Sequence, residues 1–150
     1  MKKIKVLFAL ICFALMASMT PLTSHADIEN LVIDVAPHVI NLGSSSTWVT
    51  VHTNIPYGAV DCSTVTLNVL PLGGDTLGEV TIELCLEDDR GNFVAKFEMY
   101  NVRALFGTED PIDGEFTFVL KGTTDTDPVA YFSDGQNIRV FNNIGKPGKM

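Results

Sequence analysis

Apolar and polar residues alternate in short runs along most of this chain, and clusters of turn-forming residues separate the runs. Val49 and Val51, for example, alternate with Trp48, Thr50 and His52. A period of two over several residues is typical of a β-strand with one buried face. The runs that fit are Leu31–Val35, Val39–Leu42, Thr47–Thr53, Ser63–Leu70, Glu79–Leu86, Phe93–Met99, Glu115–Lys121, Val129–Phe132 and Asn137–Phe141.

These runs predict an all-β protein of about seven to nine short strands, folded as an antiparallel sandwich or barrel. Parallel βαβ units would need long amphipathic segments between the runs, and the sequence has none. One helical turn is predicted where Val102, Leu105 and Phe106 follow a spacing of three and then four before Gly107. The length of 150 residues suits a single domain of this kind.

The pair Gly73-Gly74 predicts the register of one hairpin, because two glycines suit the left-handed conformations of a tight turn. Centring the hairpin there places Leu67 opposite Val80 and Val65 opposite Ile82 on an apolar face. Thr66 then faces Thr81 and Thr64 faces Glu83 on the polar face. A shift of one residue would invert both faces, which favours this register.

The first 26 residues have the features of a secretory signal peptide. Lys2, Lys3 and Lys5 precede an apolar run from Val6 to Met16, and Ser24-His25-Ala26 has small residues at the two positions read by signal peptidase. The alternative, a membrane anchor, is disfavoured because a run of 11 residues is shorter than the roughly 20 that span a bilayer. We therefore expect cleavage after Ala26, a β-sandwich domain over 27–143, and a flexible tail over 144–150.

Removing the signal peptide makes the chain more acidic. It takes away three of the ten basic residues and none of the eighteen acidic ones, so the mature chain carries a formal charge of −11 over 124 residues. This charge argues against a nucleic-acid partner, since a phosphate backbone requires a basic face. No other apolar run is long enough to span a membrane. We predict a secreted or periplasmic protein whose partner is a protein or a glycan at the cell surface.

Two cysteines remain in the mature chain, because Cys12 leaves with the signal peptide. An even number of cysteines in an oxidising compartment favours a disulfide over free thiols. The predicted hairpin register also sets Cys62 opposite Cys85, and directly opposed residues lie within the Cα separation that a disulfide accepts. A Cys62–Cys85 disulfide is therefore predicted, with two separate thiols as the alternative.

Acidic loops raise the question of a calcium site. Asp88 and Asp89 lie in one loop, and Asp125 and Asp127 lie in another. Calcium needs six to eight oxygen ligands, and no segment has the pattern of an EF-hand loop. The acids are typical of solvated turns. We expect no cofactor, with these four aspartates as weak candidates for calcium.

Trp48 and Tyr57 are the candidate binding residues. If Val49 and Val51 face the core, Trp48 faces solvent and is available to stack on a sugar or to contact a partner. With the opposite orientation it belongs to the core. Tyr57, in the Ile55-Pro56-Tyr57-Gly58 segment, is a possible second contact.

No catalytic residues are predicted. The two mature histidines, His38 and His52, have no partner at a metal-ligand spacing, and no Gly-x-Ser-x-Gly nucleophile motif is present. Nothing singles out a pair of carboxylates for glycoside hydrolysis. The sequence is read as that of a non-enzyme, with a small hydrolase as the alternative.

Several strand patterns, in chain order, resemble secreted Ig-like β-sandwich modules of bacteria and archaea. The matching stretches are Ile33-Asp34-Val35-Ala36-Pro37, Ile40-Asn41-Leu42, Trp48-Val49-Thr50-Val51, Val65-Thr66-Leu67-Asn68, Phe93-Val94-Ala95-Lys96-Phe97 and Ile138-Arg139-Val140. Such modules often stand beside dockerin or EF-hand repeats, so the resemblance implies an Ig-like sandwich in a cell-surface assembly. It carries no functional residue across, because strand patterns specify a fold and not an activity.

Three hypotheses follow. The first is an exported, non-enzymatic β-sandwich that acts as a structural or binding module, and the second is a carbohydrate- or calcium-binding module. The third is a small hydrolase. An exposed Trp48 beside polar groups in a concave surface would favour the second, whereas a histidine or paired carboxylates in a pocket would favour the third.

Overall fold

The computed structural model describes residues 26–28, 30–107 and 111–142. These residues form ten strands, one α-helix and one 3-10 helix. In chain order they are β1 (Ala26–Asp27), β2 (Ile33–Ala36), β3 (Val39–Asn41), β4 (Trp48–Pro56), the 3-10 helix (Tyr57–Ala59), β5 (Val60–Pro71), β6 (Gly78–Thr81), β7 (Leu84–Glu87), β8 (Asn92–Glu98), α1 (Met99–Ala104), β9 (Asp113–Thr124) and β10 (Ala130–Phe141).

The strands form two packed sheets, which confirms the predicted β-sandwich. The six-stranded sheet has the order β1-β10-β9-β5-β6, with β3 also beside β10, and the four-stranded sheet has the order β2-β4-β8-β7. The pairings are antiparallel except those of β1 and β3 with β10, which are parallel. The ten strands exceed the nine predicted runs by one, because the two-residue β1 is present, one predicted strand is divided in two, and two predicted strands are joined in β10.

The core fills the space between the sheets with alternate residues of the long strands. Val49 and Val51 of β4 are fully buried, as are Phe93, Ala95 and Phe97 of β8. The facing sheet contributes Val65, Leu67, Val69, Phe118, Leu120, Ile138 and Val140. Burial of each large aliphatic or aromatic side chain stabilises the fold by about 1.5–3 kcal/mol, so this alternation fixes which face of every strand points inward.

The predicted hairpin register between β5 and β6 is confirmed up to the end of β6, but the predicted pairing of Thr64 with Glu83 is wrong, because the main-chain N–H of Glu83 donates to the carbonyl of Lys96 in β8. Leu67 lies opposite Val80, Thr66 lies opposite Thr81, and the main-chain N–H of Ile82 donates to the carbonyl of Val65 at 3.2 Å. The predicted two-residue turn is wrong, because a longer loop over residues 72–77 connects the strands. Gly73 has a φ of 73° in that loop, so the glycine does occupy a left-handed position.

The predicted strand Glu79–Leu86 is two strands in different sheets. It ends in the six-stranded sheet at Thr81, and β7 begins at Leu84 in the four-stranded sheet. Cys85 is therefore not opposite Cys62 in a ladder. The disulfide nevertheless forms, because inward-pointing residues of β5 and β7 meet between the sheets with Cα atoms 6.2 Å apart. The predicted bond is confirmed, and it links the two sheets.

Two further differences concern the last strand and the helix. The predicted strands Val129–Phe132 and Asn137–Phe141 are one continuous β10, in which Gly135 pairs with Val119. A Cβ at Gly135 would lie 3.1 Å from the side chains of Thr117 and Val119, so the glycine serves close packing and not a turn. The predicted helical turn is confirmed as α1, which buries Val102 and is followed by Gly107 with a φ of 67°.

The predicted signal peptide and the predicted tail over 144–150 lie outside the described residues, apart from Ala26, which belongs to β1. Among the helices of the described part of the chain, neither has the length and hydrophobicity that crossing a membrane requires.

We expect replacement of both cysteines, Cys62→Ala with Cys85→Ala, to lower the free energy of unfolding by up to about 3 kcal/mol, since the bond closes a separation of 23 residues. The variant should remain folded, because the core does not depend on the sulfur atoms. Urea unfolding of the exported protein measures the loss. Non-reducing peptide mapping is the control for the bond, and full alkylation of both thiols without reductant would contradict it.

Candidate functional site

A polar groove of about 400 Å³ lies on the solvent side of the four-stranded sheet. Its walls come from β2, β4 and the turn between β7 and β8. The lining residues are Val32, Asp34, His52, Thr53, Asn54, Asp88, Arg90 and Asn92. Titratable groups from three distant parts of the sequence therefore meet in one concave surface, which makes this groove the candidate site.

Strand pairing places Asp34 and His52 side by side. The two residues are directly opposite each other in the β2–β4 ladder, and both point to solvent because Val35 and Val51 point into the core. His38 also joins this group, since its Nε2 lies 2.9 Å from Oδ1 of Asp34. Both mature histidines therefore lie around one carboxylate, an arrangement that their separation in the sequence does not reveal.

The β7–β8 turn is built around Asp88. Its Oδ1 accepts hydrogen bonds from the main-chain N–H groups of Arg90 at 2.9 Å and Asn92 at 2.8 Å. Gly91 completes the turn with a φ of 83°, and its N–H donates to the carbonyl of Asp88. Asp88 thus fixes the backbone from which Arg90 extends.

The hydrogen bond from the main chain of Asn92 lowers the pKa of Asp88, and the N–H and positive charge of Arg90 act in the same direction. The carboxylate is therefore held in its ionised form. Catalysis of proton transfer at neutral pH would instead need an aspartate pKa raised toward 7.

Asn54 closes the other wall. Its Oδ1 accepts from the N–H of Val32, and its Nδ2 donates to the carbonyl of Asn30, both at 2.9 Å. These bonds hold the segment before β2 against the end of β4. The amide of Asn54 is therefore occupied by the fold, and its function is to shape the groove.

Two side chains of the groove, the imidazole of His52 and the guanidinium of Arg90, are available to contact a ligand. Within the described ranges, neither the imidazole of His52 nor the guanidinium of Arg90 has a hydrogen-bond partner. Asp34 keeps one carboxylate oxygen that His38 does not contact. The groove therefore offers both donors and acceptors to solvent, from two carboxylates, one guanidinium and one imidazole.

Trp48 and Tyr57 are not brought together, and neither lines the groove. They lie at opposite ends of β4, since Trp48 begins the strand and Tyr57 follows its last residue. Trp48 is on the solvent face, as the inward Val49 and Val51 require, but it is half-buried, and Nζ of Lys96 lies 6.0 Å from its ring centroid. Tyr57 is half-buried against the core.

The acidic loops share one end of the sandwich without forming a ligand shell. The main-chain N–H of Tyr57 donates to Gly91, and that of Asp125 donates to Ala59, so the 3-10 helix lies between the two loops. In the part of the chain that the structure describes, no three potential ligands converge on one point. The candidates Asp88, Asp89, Asp125 and Asp127 include only one residue, Asp88, that lines the groove.

Sequence reasoning missed Asp34 and Arg90 as site residues. For Asp34 the sequence offered one signal: it is a polar residue at an outward position of a strand, as His52 is. That signal becomes informative only when the order β2-β4-β8-β7 is known, because the order decides which outward residues are neighbours.

Comparison with known proteins assigns this chain no family. No family model and no curated protein matches the chain. A solved structure, the crystal structure of CopC from Methylosinus trichosporium OB3b, is similar with a TM-score of 0.40 and 13% sequence identity, over 77% of this chain and 95% of that one. Similarity at this level carries no inference about a ligand. No family match supports the dockerin or EF-hand context that the resemblance implied.

The ionised state of Asp88 should make its contribution to stability depend on pH. We expect Asp88→Asn to lower the free energy of unfolding at pH 7, because the amide keeps an acceptor oxygen but loses the charge. A lowered pKa in the fold means that this contribution is complete above the ordinary value of 3.8 and disappears as the pH falls from there toward the folded value. Urea unfolding of both proteins across this range measures the difference.

Asp89→Asn is the matched control, because it removes the same charge one residue along, and its side chain accepts no hydrogen bond from the described residues. An equal pH dependence in the two variants would show that net charge, and not the turn, is responsible.

Calcium should leave the melting temperature nearly unchanged, because the described residues supply no converging set of ligands. A ligand at 100 times its Kd stabilises a fold by about 2.7 kcal/mol, which thermal melting detects readily. Melting in millimolar calcium and in chelator is the measurement. A large increase that the chelator reverses would contradict this expectation and direct attention to Asp88, Asp89, Asp125 and Asp127.

Proposed function

We propose that this protein is an exported, non-enzymatic binding module whose polar groove holds a ligand in the periplasm or at the cell surface. The observation that carries the proposal is the convergence of Asp34, His52 and Arg90 in one groove, where the side chains of His52 and Arg90 have no hydrogen-bond partner among the described residues. Export is supported by the features of residues 1–26.

The chemistry of the groove favours a neutral, hydroxyl-rich ligand such as a carbohydrate. A sugar hydroxyl both donates and accepts, so it matches a wall that has a guanidinium on one side and a carboxylate on the other. A strongly anionic ligand would be repelled by Asp34 and Asp88, and a simple cation would meet Arg90. Trp48 lies outside the groove, so the proposed sugar would be held by the groove residues and not by stacking on this tryptophan.

A binding role without catalysis is supported by one of the two groove carboxylates, that of Asp88, because its pKa is lowered. The pKa of Asp88 is lowered by main-chain N–H donors, so it is not available as a general acid at neutral pH. The side chain also serves the turn, since Oδ1 already accepts two hydrogen bonds. The groove does contain a histidine and two carboxylates, as the hydrolase alternative requires; what supports the binding module over it is that Asp88 already serves the turn and does not suit the role of general acid.

The test is titration of the mature protein with soluble trisaccharides of glucose, N-acetylglucosamine and galacturonate, followed by calorimetry. We expect a neutral sugar to bind, and Arg90→Ala and His52→Ala each to weaken it by about tenfold or more, since a hydrogen bond to a charged group contributes roughly 1.5–3 kcal/mol.

Lys121→Ala is the control variant, because Lys121 is an exposed cation on β9, in the other sheet. It should bind the sugar as tightly as the unmodified protein. Failure of all three sugars, or equal affinity in the groove variants, would count against the proposal.

A further inference from the structure

The strand β7 has an open edge. Within the described parts of the chain it is the last strand of the four-stranded sheet and pairs only with β8, with Leu84 opposite Lys96 and Leu86 opposite Val94. The N–H of Asp88 donates to Asn92 in the same ladder. Because alternate residues of an antiparallel strand bond to the same neighbour, the main chain of Leu84 and Leu86 faces β8. The N–H and C=O groups of Cys85 and Glu87 therefore face away from the sheet.

This edge is held in place from the core side. Cys85 is bonded to Cys62 of β5, so β7 is attached to both sheets at once. Binding to a strand that is already ordered loses less conformational entropy than binding to a mobile segment. The open hydrogen-bonding groups are therefore presented in the extended geometry that a further strand requires.

Two leucines border the edge on the solvent face. Leu84 and Leu86 are 40% and 38% exposed, although large aliphatic side chains in β-sandwiches are usually covered. Val94 lies beside Leu86 in the next strand. An added strand would lie about 4.8 Å from β7, so its outward side chains would contact these leucines.

The edge strand itself is acidic, although Lys96 lies opposite Leu84 in β8 and Arg90 follows in the turn. Residues 83–89 contain four acids and no basic residue, and Glu83, Glu87 and Asp89 are exposed. Like charges directly opposite one another across a strand pair are destabilising, whereas opposite charges are favourable. A segment with lysine or arginine side chains is therefore the complementary occupant.

A second copy of the chain does not fit this edge. Pairing that sets Cys85 against its own copy places Glu83 opposite Glu87. Pairing of Cys85 with Glu87 places Glu83 opposite Asp89, and pairing of Glu87 with itself opposes two carboxylates directly. Each of these three registers thus brings acids together, and charge on an edge strand is one way in which proteins avoid self-association.

We propose that β7 is the docking site for an extended cationic segment of another protein, in which lysine or arginine alternates with aliphatic residues, and that this segment adds a fifth strand to the four-stranded sheet. Main-chain bonds to Cys85 and Glu87 supply the alignment. Leu84 and Leu86 receive the aliphatic side chains, and the acids select the charge. The site is separate from the groove and does not depend on the ligand assigned there.

The probe is a fluorescent ten-residue peptide of alternating lysine and valine, titrated into the mature, disulfide-bonded protein and followed by anisotropy. Glu87→Pro removes an N–H at the open edge together with the carboxylate and spares the ladder with β8, whereas Glu87→Gln removes the charge alone. We expect the proline variant to bind the peptide about tenfold more weakly or worse, and Glu87→Gln to bind more weakly as well. Glu115→Gln, at an exposed position of β9, should bind normally.

A second measurement keeps the result independent of how well the proline variant folds. Hydrogen exchange at the N–H groups of Cys85 and Glu87 should slow when the peptide binds, and a peptide N-methylated along one edge should not bind. Absence of binding, unchanged exchange at these two amides, or an equal loss in Glu115→Gln would overturn the proposal. Dimerisation of the mature protein that Glu87→Pro abolishes would overturn it too, because the edge would then serve a second copy.

Discussion

Both the polar groove and the open edge depend on the point at which the chain leaves the six-stranded sheet. After Thr81 the chain crosses the sandwich and begins β7 beside β8. The Cys62–Cys85 bond fastens this crossing, since it joins β5 on one side to β7 on the other. If the strand had continued in the first sheet, the turn that holds Asp88 and Arg90 would lie far from Asp34 and His52. The crossing therefore determines which side chains can act together.

Local pattern was sufficient to predict the strands and one register. The alternation around Val49 and Val51 identifies β4 as a strand with one buried face, although it leaves both orientations open, and the apolar pairing of Leu67 with Val80 identifies how β5 meets β6. In both cases the burial of one face decides the outcome, because a slip by one residue would expose the apolar set. Such information is contained in a few neighbouring residues.

The change of sheet could not be predicted in the same way. The run from Glu79 to Leu86 keeps an acceptable alternation through Ile82 and Glu83, so nothing local marks an interruption. What ends β6 is the geometry of a two-layer core, in which Val80 belongs to one inner face and Cys85 to the inner side of the other sheet. The disulfide was predicted correctly from a ladder that does not exist, because both arrangements bring the two Cα atoms within bonding range.

On the solvent side of the four-stranded sheet, the alternation of apolar and polar residues does not predict which residues form the candidate site. Inward positions of β2, β4 and β8 must be apolar, so their identities follow from the fold alone. Outward positions have no such requirement. Residues such as Asp34, His52 and Lys96 at these positions can therefore serve binding without loss of core packing. Their meaning nevertheless depends on which strands are neighbours, a property that the core imposes from the other face. The groove formed by β2, β4 and the β7–β8 turn can therefore be recognised only when the order of these strands is known. That order is determined by the packing of their buried face.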